Sequence, residues 1–135
     1  MSRLAVVIAL LAVFGAGVAT GLVAQTYSDS PQRVEQKRVD LSGAPNMEVI
    51  ASVSEYKSGE VMEAHTHHGV EVAYVLQGSS VTLPGKDPMN IVTGATVINL
   101  RDIKHGGFKI TGETSLKLFT VHIVDKGQPL YDKGQ

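Results

Sequence analysis

Residues 59–78 read Gly59-Glu60-Val61-Met62-Glu63-Ala64-His65-Thr66-His67-His68-Gly69-Val70-Glu71-Val72-Ala73-Tyr74-Val75-Leu76-Gln77-Gly78. The run after Glu71 is rich in β-branched, aromatic and aliphatic residues and stops at a glycine, which predicts a strand over 71–76. Three of the chain's five histidines fall within His65-Thr66-His67-His68. On a strand, residues i and i+2 share a face, so His65 and His67 can approach one ion together. On a helix the same two would lie about 200° apart. Extended backbone is therefore expected here, with His68, of opposite parity, facing outward. Glu71 stands six positions beyond His65, about 20 Å along a continuous strand at about 3.3 Å per residue, whereas ligand bonds are about 2.0–2.2 Å. A shared ion thus requires the chain to turn at 68–70, and Gly69 makes a turn inexpensive. The spacing equally suits a solvated, histidine-rich loop. Glu71 favours the ion, because a carboxylate at the mouth of an apolar strand is costly to bury without a partner and a divalent cation is such a partner. A fourth ligand is expected from His105, in a loop between Asp102 and Gly106-Gly107. His122, within Thr120-Val121-His122-Ile123, is expected to be a core residue or one supporting the ligands.

The surrounding chain repeats this pattern of short apolar runs between breakers. Strands are predicted over 33–41, 47–56, 71–76, 80–83, 89–92, 96–100, 108–110 and 116–124, separated by turn residues such as Gly43-Ala44-Pro45-Asn46 and Pro84-Gly85-Lys86-Asp87-Pro88. No helical period is sustained outside the first residues. Many short strands at close spacing predict an all-β chain, a small antiparallel jelly-roll-like β-barrel. The main core is expected from 71–76, 96–100 and 116–124. Segment 33–41 is a possible edge strand through which a homodimer could form, and the polar end from Lys126 is expected to lie loosely on the surface.

Composition narrows the chemistry. The 135 residues include no cysteine and no tryptophan, with 12 Lys and Arg against 13 Asp and Glu. Disulfides, thiolate metal sites and a cysteine nucleophile are excluded, and no basic block marks a nucleic-acid partner. The four arginines are Arg3, Arg33, Arg38 and Arg101, and only Arg101 is close in sequence to an expected ligand. A phosphorylated or multiply acidic substrate is accordingly disfavoured. Tyr56 and Tyr74 are the tyrosines considered for the site, although packing is the usual role of a barrel tyrosine.

Residues 4–24 carry no charge, follow Arg3 and precede the polar stretch 25–32. This reads as a signal peptide cleaved after Ala19 or Ala24, as an uncleaved membrane anchor, or as a buried core helix. The first two place the folded part in the periplasm or outside the cell, with membrane contact only through residues 1–24 if they are retained. The expected organisation is 1–24 signal or anchor, 25–40 linker and possible edge strand, 41–129 barrel and 130–135 polar tail.

The quoted stretch resembles the first motif of the cupin superfamily, G-x5-H-x-H-x3-4-E-x6-G, at Gly59, His65, His67, Glu71 and Gly78. The second motif, G-x5-P-x-G-x2-H-x3-N, is matched at Gly94 and His105. Leu100, Asp102 and Lys109 stand where proline, glycine and asparagine are usual, and Asp102 adopts a left-handed backbone less easily than glycine. The resemblance covers about 41–129, and the chain's ending is similar to small exported quercetin-dioxygenase-like cupins. It implies a metal held by His65, His67, Glu71 and His105 inside the barrel. Such a donor set suits Fe, Mn, Ni, Cu or Zn as a divalent ion and leaves positions open for a small-molecule ligand. It further implies either a metal-dependent oxygenase, lyase or isomerase, with Glu71 as a catalytic base, or a non-catalytic module that binds a small ligand or the metal itself.

Overall fold

The computed structural model describes residues 29–134. The apolar segment 1–24 and its cleavage sites lie outside the described residues. Nine strands follow one another: β1 (Arg33–Asp40), β2 (Met47–Tyr56), β3 (Val61–Met62), β4 (Gly69–Gln77), β5 (Ser79–Thr82), β6 (Met89–Ile91), β7 (Thr96–Asn99), β8 (Phe108–Ile110) and β9 (Leu116–Asp125). Eight correspond to predicted strands. β3 has only two residues, too few to leave a period-two pattern. No helix occurs among the described residues.

The strands form two antiparallel sheets, ordered β1-β2-β9-β4-β7 and β3-β8-β5-β6. At the centre of the first, β2 and β9 stay in register from Met47 opposite Asp125 to Tyr56 opposite Leu116. β4 lies on the other side of β9, with Glu71 opposite His122 and Ala73 opposite Thr120. Alternation therefore turns Ile50, Ser52, Ser54 and Tyr56, then Leu116, Leu118, Thr120 and His122, and then Glu71, Ala73 and Val75 to one buried face. At one end of it, Tyr56, Met62, Val75, Val81, Ile110, Leu116 and Leu118 pack into an apolar cluster. At the other, Ile50, Val124 and Leu130 form a second.

Several expectations are corrected. Segment 96–100 is not core. β7 is the edge of its sheet, and Val97, Ile98 and Leu100 are exposed because no strand covers them. The chain end is not loose: Leu130 is buried in the second cluster, and Thr66 and Asp132 exchange backbone hydrogen bonds of 2.8 and 3.0 Å. The chain does turn within 68–70, but at His68 rather than through Gly69, which begins β4 where a Cβ would collide with the Ile123 carbonyl. β1 is the other edge of the five-stranded sheet, as expected of it, and bears Glu35, Lys37, Arg38 and Asp40.

Candidate metal centre

His65 and His67 lie on extended chain between β3 and β4, and parity acts there as on a strand. Both rings are buried, while His68 points away and meets Asp132 at 3.2 Å and Asp102 at 3.6 Å. Glu71 is the third residue of β4 and faces the same interior. His105 arrives from the loop between β7 and β8. That loop is joined to the histidine segment by paired backbone hydrogen bonds, His65 N–H to His105 O at 3.0 Å and His105 N–H to His65 O at 2.9 Å. A third, from Asp102 N–H to His67 O, is 3.0 Å. Asp102 has φ 59°, the one positive value at a non-glycine among the described residues. The left-handed corner of the second motif is thus made with aspartate in place of glycine.

His65, His67, Glu71 and His105 each offer one donor atom, and the four atoms lie within 4.8 Å of one another. Ligands on opposite sides of a metal at about 2.0–2.2 Å would be about 4.4 Å apart, so slight side-chain closure suffices to hold an ion. Each imidazole is oriented through its other nitrogen. Nδ1–H of His65 donates to the Glu63 carbonyl at 2.7 Å, that of His67 to Leu130 at 2.5 Å, and that of His105 to Ile103 at 3.0 Å. This leaves Nε2 as the donor atom in every ring, the arrangement that holds a histidine ligand in one tautomer. Nε2 of His67 and of His105 each stand 3.2 Å from Glu71 Oε2. His105 Nε2 is buried and has no hydrogen-bond partner, and with the proton on Nδ1 its lone pair is free for a metal. The cluster can hold a metal ion, and three imidazoles with one carboxylate fit a divalent transition metal.

The electrostatics agree with a cation-binding point. Burial alone would raise the Glu71 carboxyl, but His105 and His67 outweigh it and hold the group well below the usual carboxylate range. Burial likewise opposes a proton on His105, yet Glu71 raises that pKa above its ordinary value. Burial pushes His65 down to about 4, against the Glu63 carbonyl. The negative charge of Glu71 thus sits in a buried cluster where His65 is favoured as neutral, the state in which an imidazole binds metal.

Three residues beside the centre were not expected from sequence. Asn99 Nδ2 donates to Glu71 Oε2 at 2.9 Å, and its place opposite Glu71 follows from strand register alone. Tyr131 packs its ring 4.7 Å from His65 and 5.2 Å from His67. Arg33 is buried on Asp29 and Ser52. Of the tyrosines considered, Tyr56 lines the adjoining cavity, whereas Tyr74 is exposed on the opposite face. Arg101 is not at the centre and pairs on the surface with Asp125 at 2.7 Å. His122 supports rather than joins the group: it is fully buried, its ring is 4.6 Å from that of His67, and its Nε2 is 3.6 Å from Glu71 Oε1.

No protein-family model matches the chain, and no curated protein does. Solved structures do. A protein with a double-stranded β-helix domain from Klebsiella pneumoniae aligns with TM-score 0.53 at 11% identity, covering 78% of this chain and 89% of that one. A polyketide cyclase from Streptomyces resistomycificus aligns with TM-score 0.53 at 18% identity, over 78% and 73% of the two chains. A DMSP lyase from Ruegeria pomeroyi gives TM-score 0.50 at 16% identity, over 72% of this chain and 49% of the lyase, so this chain spans about half of it. Two antiparallel sheets closing over a buried His-His-Glu-His cluster, and solved neighbours of the same architecture, show that this chain has the double-stranded β-helix fold.

Proposed function

We propose that this protein is a metal-dependent enzyme that works outside the cytoplasm on a small organic substrate coordinated at the His65–His67–Glu71–His105 centre, by oxygenase, lyase or isomerase chemistry. The observation that carries this reading is the triple orientation of the imidazoles, each Nδ1–H on a backbone carbonyl with its Nε2 left as the donor. A bound divalent metal would polarise an oxygen of the substrate as a Lewis acid. Around it, Asn99 donates to Glu71 Oε2, and Oε1 stands 3.6 Å from His122 Nε2. Glu71 is the carboxylate to take a proton from a substrate carbon or hydroxyl. The apolar walls of the adjoining cavity exclude water from that transfer. The lyase and cyclase among the solved neighbours are enzymes by name, which supports an enzymatic role and does not select the reaction.

A second reading, a periplasmic module that captures a small ligand or the metal itself, is favoured by one observation. Among the described residues, Glu71 is the only carboxylate lining the cavity, and neither Lys nor Arg lines it. A ligand that is also the sole carboxylate leaves no second carboxyl group to return the proton.

Metal analysis of protein recovered from its native compartment tests the centre. About one divalent metal per chain is expected. His67→Ala should weaken it by more than the roughly 10–100-fold of a change behind the ligands. His68→Ala should leave metal content unchanged, because that ring points away. Equal loss in both variants overturns the assignment. Oxygen-uptake and turnover assays on diketones and flavonols with the metal-loaded protein then separate enzyme from binding module. An intact Met1 or Ser2 on a soluble cytoplasmic species would overturn export.

A further inference from the structure

The cavity beside the centre has a volume of about 240 Å³, and its walls are mainly apolar, with Val75, Leu116 and Leu118 among them. Apart from the metal centre with its Asn99 and the tyrosines, two lining side chains depart from that character. Ser54 on β2 and Thr120 on β9 are each 2% exposed, and neither hydroxyl oxygen has a hydrogen-bond partner in the protein. Other buried serines show how such groups are normally satisfied. The Ser52 hydroxyl accepts from Arg33 Nη1 at 2.5 Å, and on β5 the Ser79 hydroxyl donates to the Thr114 carbonyl at 2.6 Å. Buried hydroxyls without partners destabilise a fold, so two of them in one apolar cavity call for an occupant that bonds to them.

Strand register gives their distance from the metal centre. Thr120 lies opposite Ala73, two residues along β4 from Glu71, and Ser54 lies opposite Leu118, two residues further along β9. At about 3.3 Å per residue, Thr120 is about 7 Å and Ser54 about 13 Å from the level of Glu71. The two hydroxyls are diagonal neighbours, about 7 Å apart.

We propose that Ser54 and Thr120 form a neutral anchoring pair that selects the ligand of this cavity. The ligand class is an uncharged, mostly apolar molecule of about one substituted ring, with a metal-binding oxygen at one end and a hydroxyl or carbonyl at the other. The metal-binding end rests on the centre proposed above, whereas the far end rests on the two hydroxyls alone. Size follows from the volume, since a cavity of about 150 Å³ accommodates benzene. Neutrality follows from the lining: with neither Lys nor Arg there, a carboxylate or phosphate at the far end would be buried without a counter-ion.

The test compares matched probes in full-length protein and in the Ser54→Ala/Thr120→Val double variant, which removes both hydroxyls at nearly constant volume, with circular dichroism to establish that the variant folds. In Zn(II)-loaded protein, calorimetry compares two chelating 5-hydroxy-4-pyranones that differ only in carrying hydroxymethyl or methyl at position 2. In metal-free protein, NMR titration compares benzyl alcohol with toluene. The hydroxyl-bearing probe should bind wild type about tenfold more tightly than its partner in each arm, as one buried neutral hydrogen bond provides, and the double variant should reduce the ratio to about one. Equal affinities in wild type, as would follow if ordered water satisfied both hydroxyls, overturn the proposal. So does a preference that persists in the double variant. Failure to take up Zn(II) overturns the metal centre instead, and the metal-free arm still decides the hydroxyl pair.

Discussion

Three of the imidazoles around Glu71 differ in how readily they carry a proton, and the difference lies in what surrounds each ring. His105 is at the mouth beside Glu71, which raises its pKa against burial. His65 is pushed down to about 4 by burial, and His122, behind the cluster, to about 3 by burial against the pull of Glu71. For the two lowered groups the unfolded chain, with an ordinary histidine value of 6.5, takes up protons first as the solution is acidified. Their contribution to stability is therefore complete above pH 6.5 and is lost between there and about 3, at up to about 1.4 kcal/mol per pH unit for each proton. Glu71, held low, adds a loss in the same direction at the acid end, whereas His105 favours the fold below 6.5. The melting temperature of chelator-treated protein should fall between pH 7 and pH 4. His122→Leu should flatten that fall, since both nitrogens of His122 lack partners and nothing is left unbonded by its removal. Thermal melts of both proteins across that range check it, and a melting temperature that rises on acidification would contradict it.

At the scale of elements, the centre is assembled from segments that the chain delivers separately. β4 carries Glu71, the extended run before it carries His65 and His67, and the loop after β7 brings His105 through backbone pairing with His65. The chain end closes the back. Leu130 supplies the carbonyl that orients His67, Tyr131 packs on His65 and His67, and Asp132 pairs with Thr66. Deleting 131–135 keeps Leu130 but removes what fastens it. Metal affinity should then drop by about 10–100-fold, as for other changes to the groups that orient a ligand, while the β-sheet circular dichroism is retained. Unchanged affinity would return the chain end to a passive surface role. Asp102 makes the left-handed corner in the His105 loop and at the same time approaches His68 at 3.6 Å.

Across the whole molecule, the larger apolar cluster contains none of the proposed ligands. Burial of its side chains, about 1.5–3 kcal/mol for each large one, does not depend on an ion. The metal-free protein should accordingly fold and melt cooperatively. Because only the folded chain brings the four donors together, metal at about 100 times its Kd should add about 2.7 kcal/mol, a rise of about 10 °C in Tm that chelator reverses. Calorimetry with and without chelator measures it. A metal-free protein with no cooperative transition would make the ion a structural requirement.

The strand pattern and the parity of His65, His67 and His68 were legible in the sequence because both are local. Period-two alternation decides which side chains share a face wherever the backbone is extended, and the ligand spacing is written in that same period. The first strand motif and its turn residues likewise carried the all-β class. What the sequence did not carry depends on which segments meet. β7 reads as core by composition, but its place at the sheet edge exposes Val97 and Ile98. The chain end reads as polar, yet its Leu130 is buried and puts its carbonyl on His67. Asn99 and Thr120 acquire their roles from the strands they lie opposite, Asn99 across from Glu71 and Thr120 across from Ala73. Partners brought together across the sheets are set by long-range register and packing, and only the tertiary structure decides them.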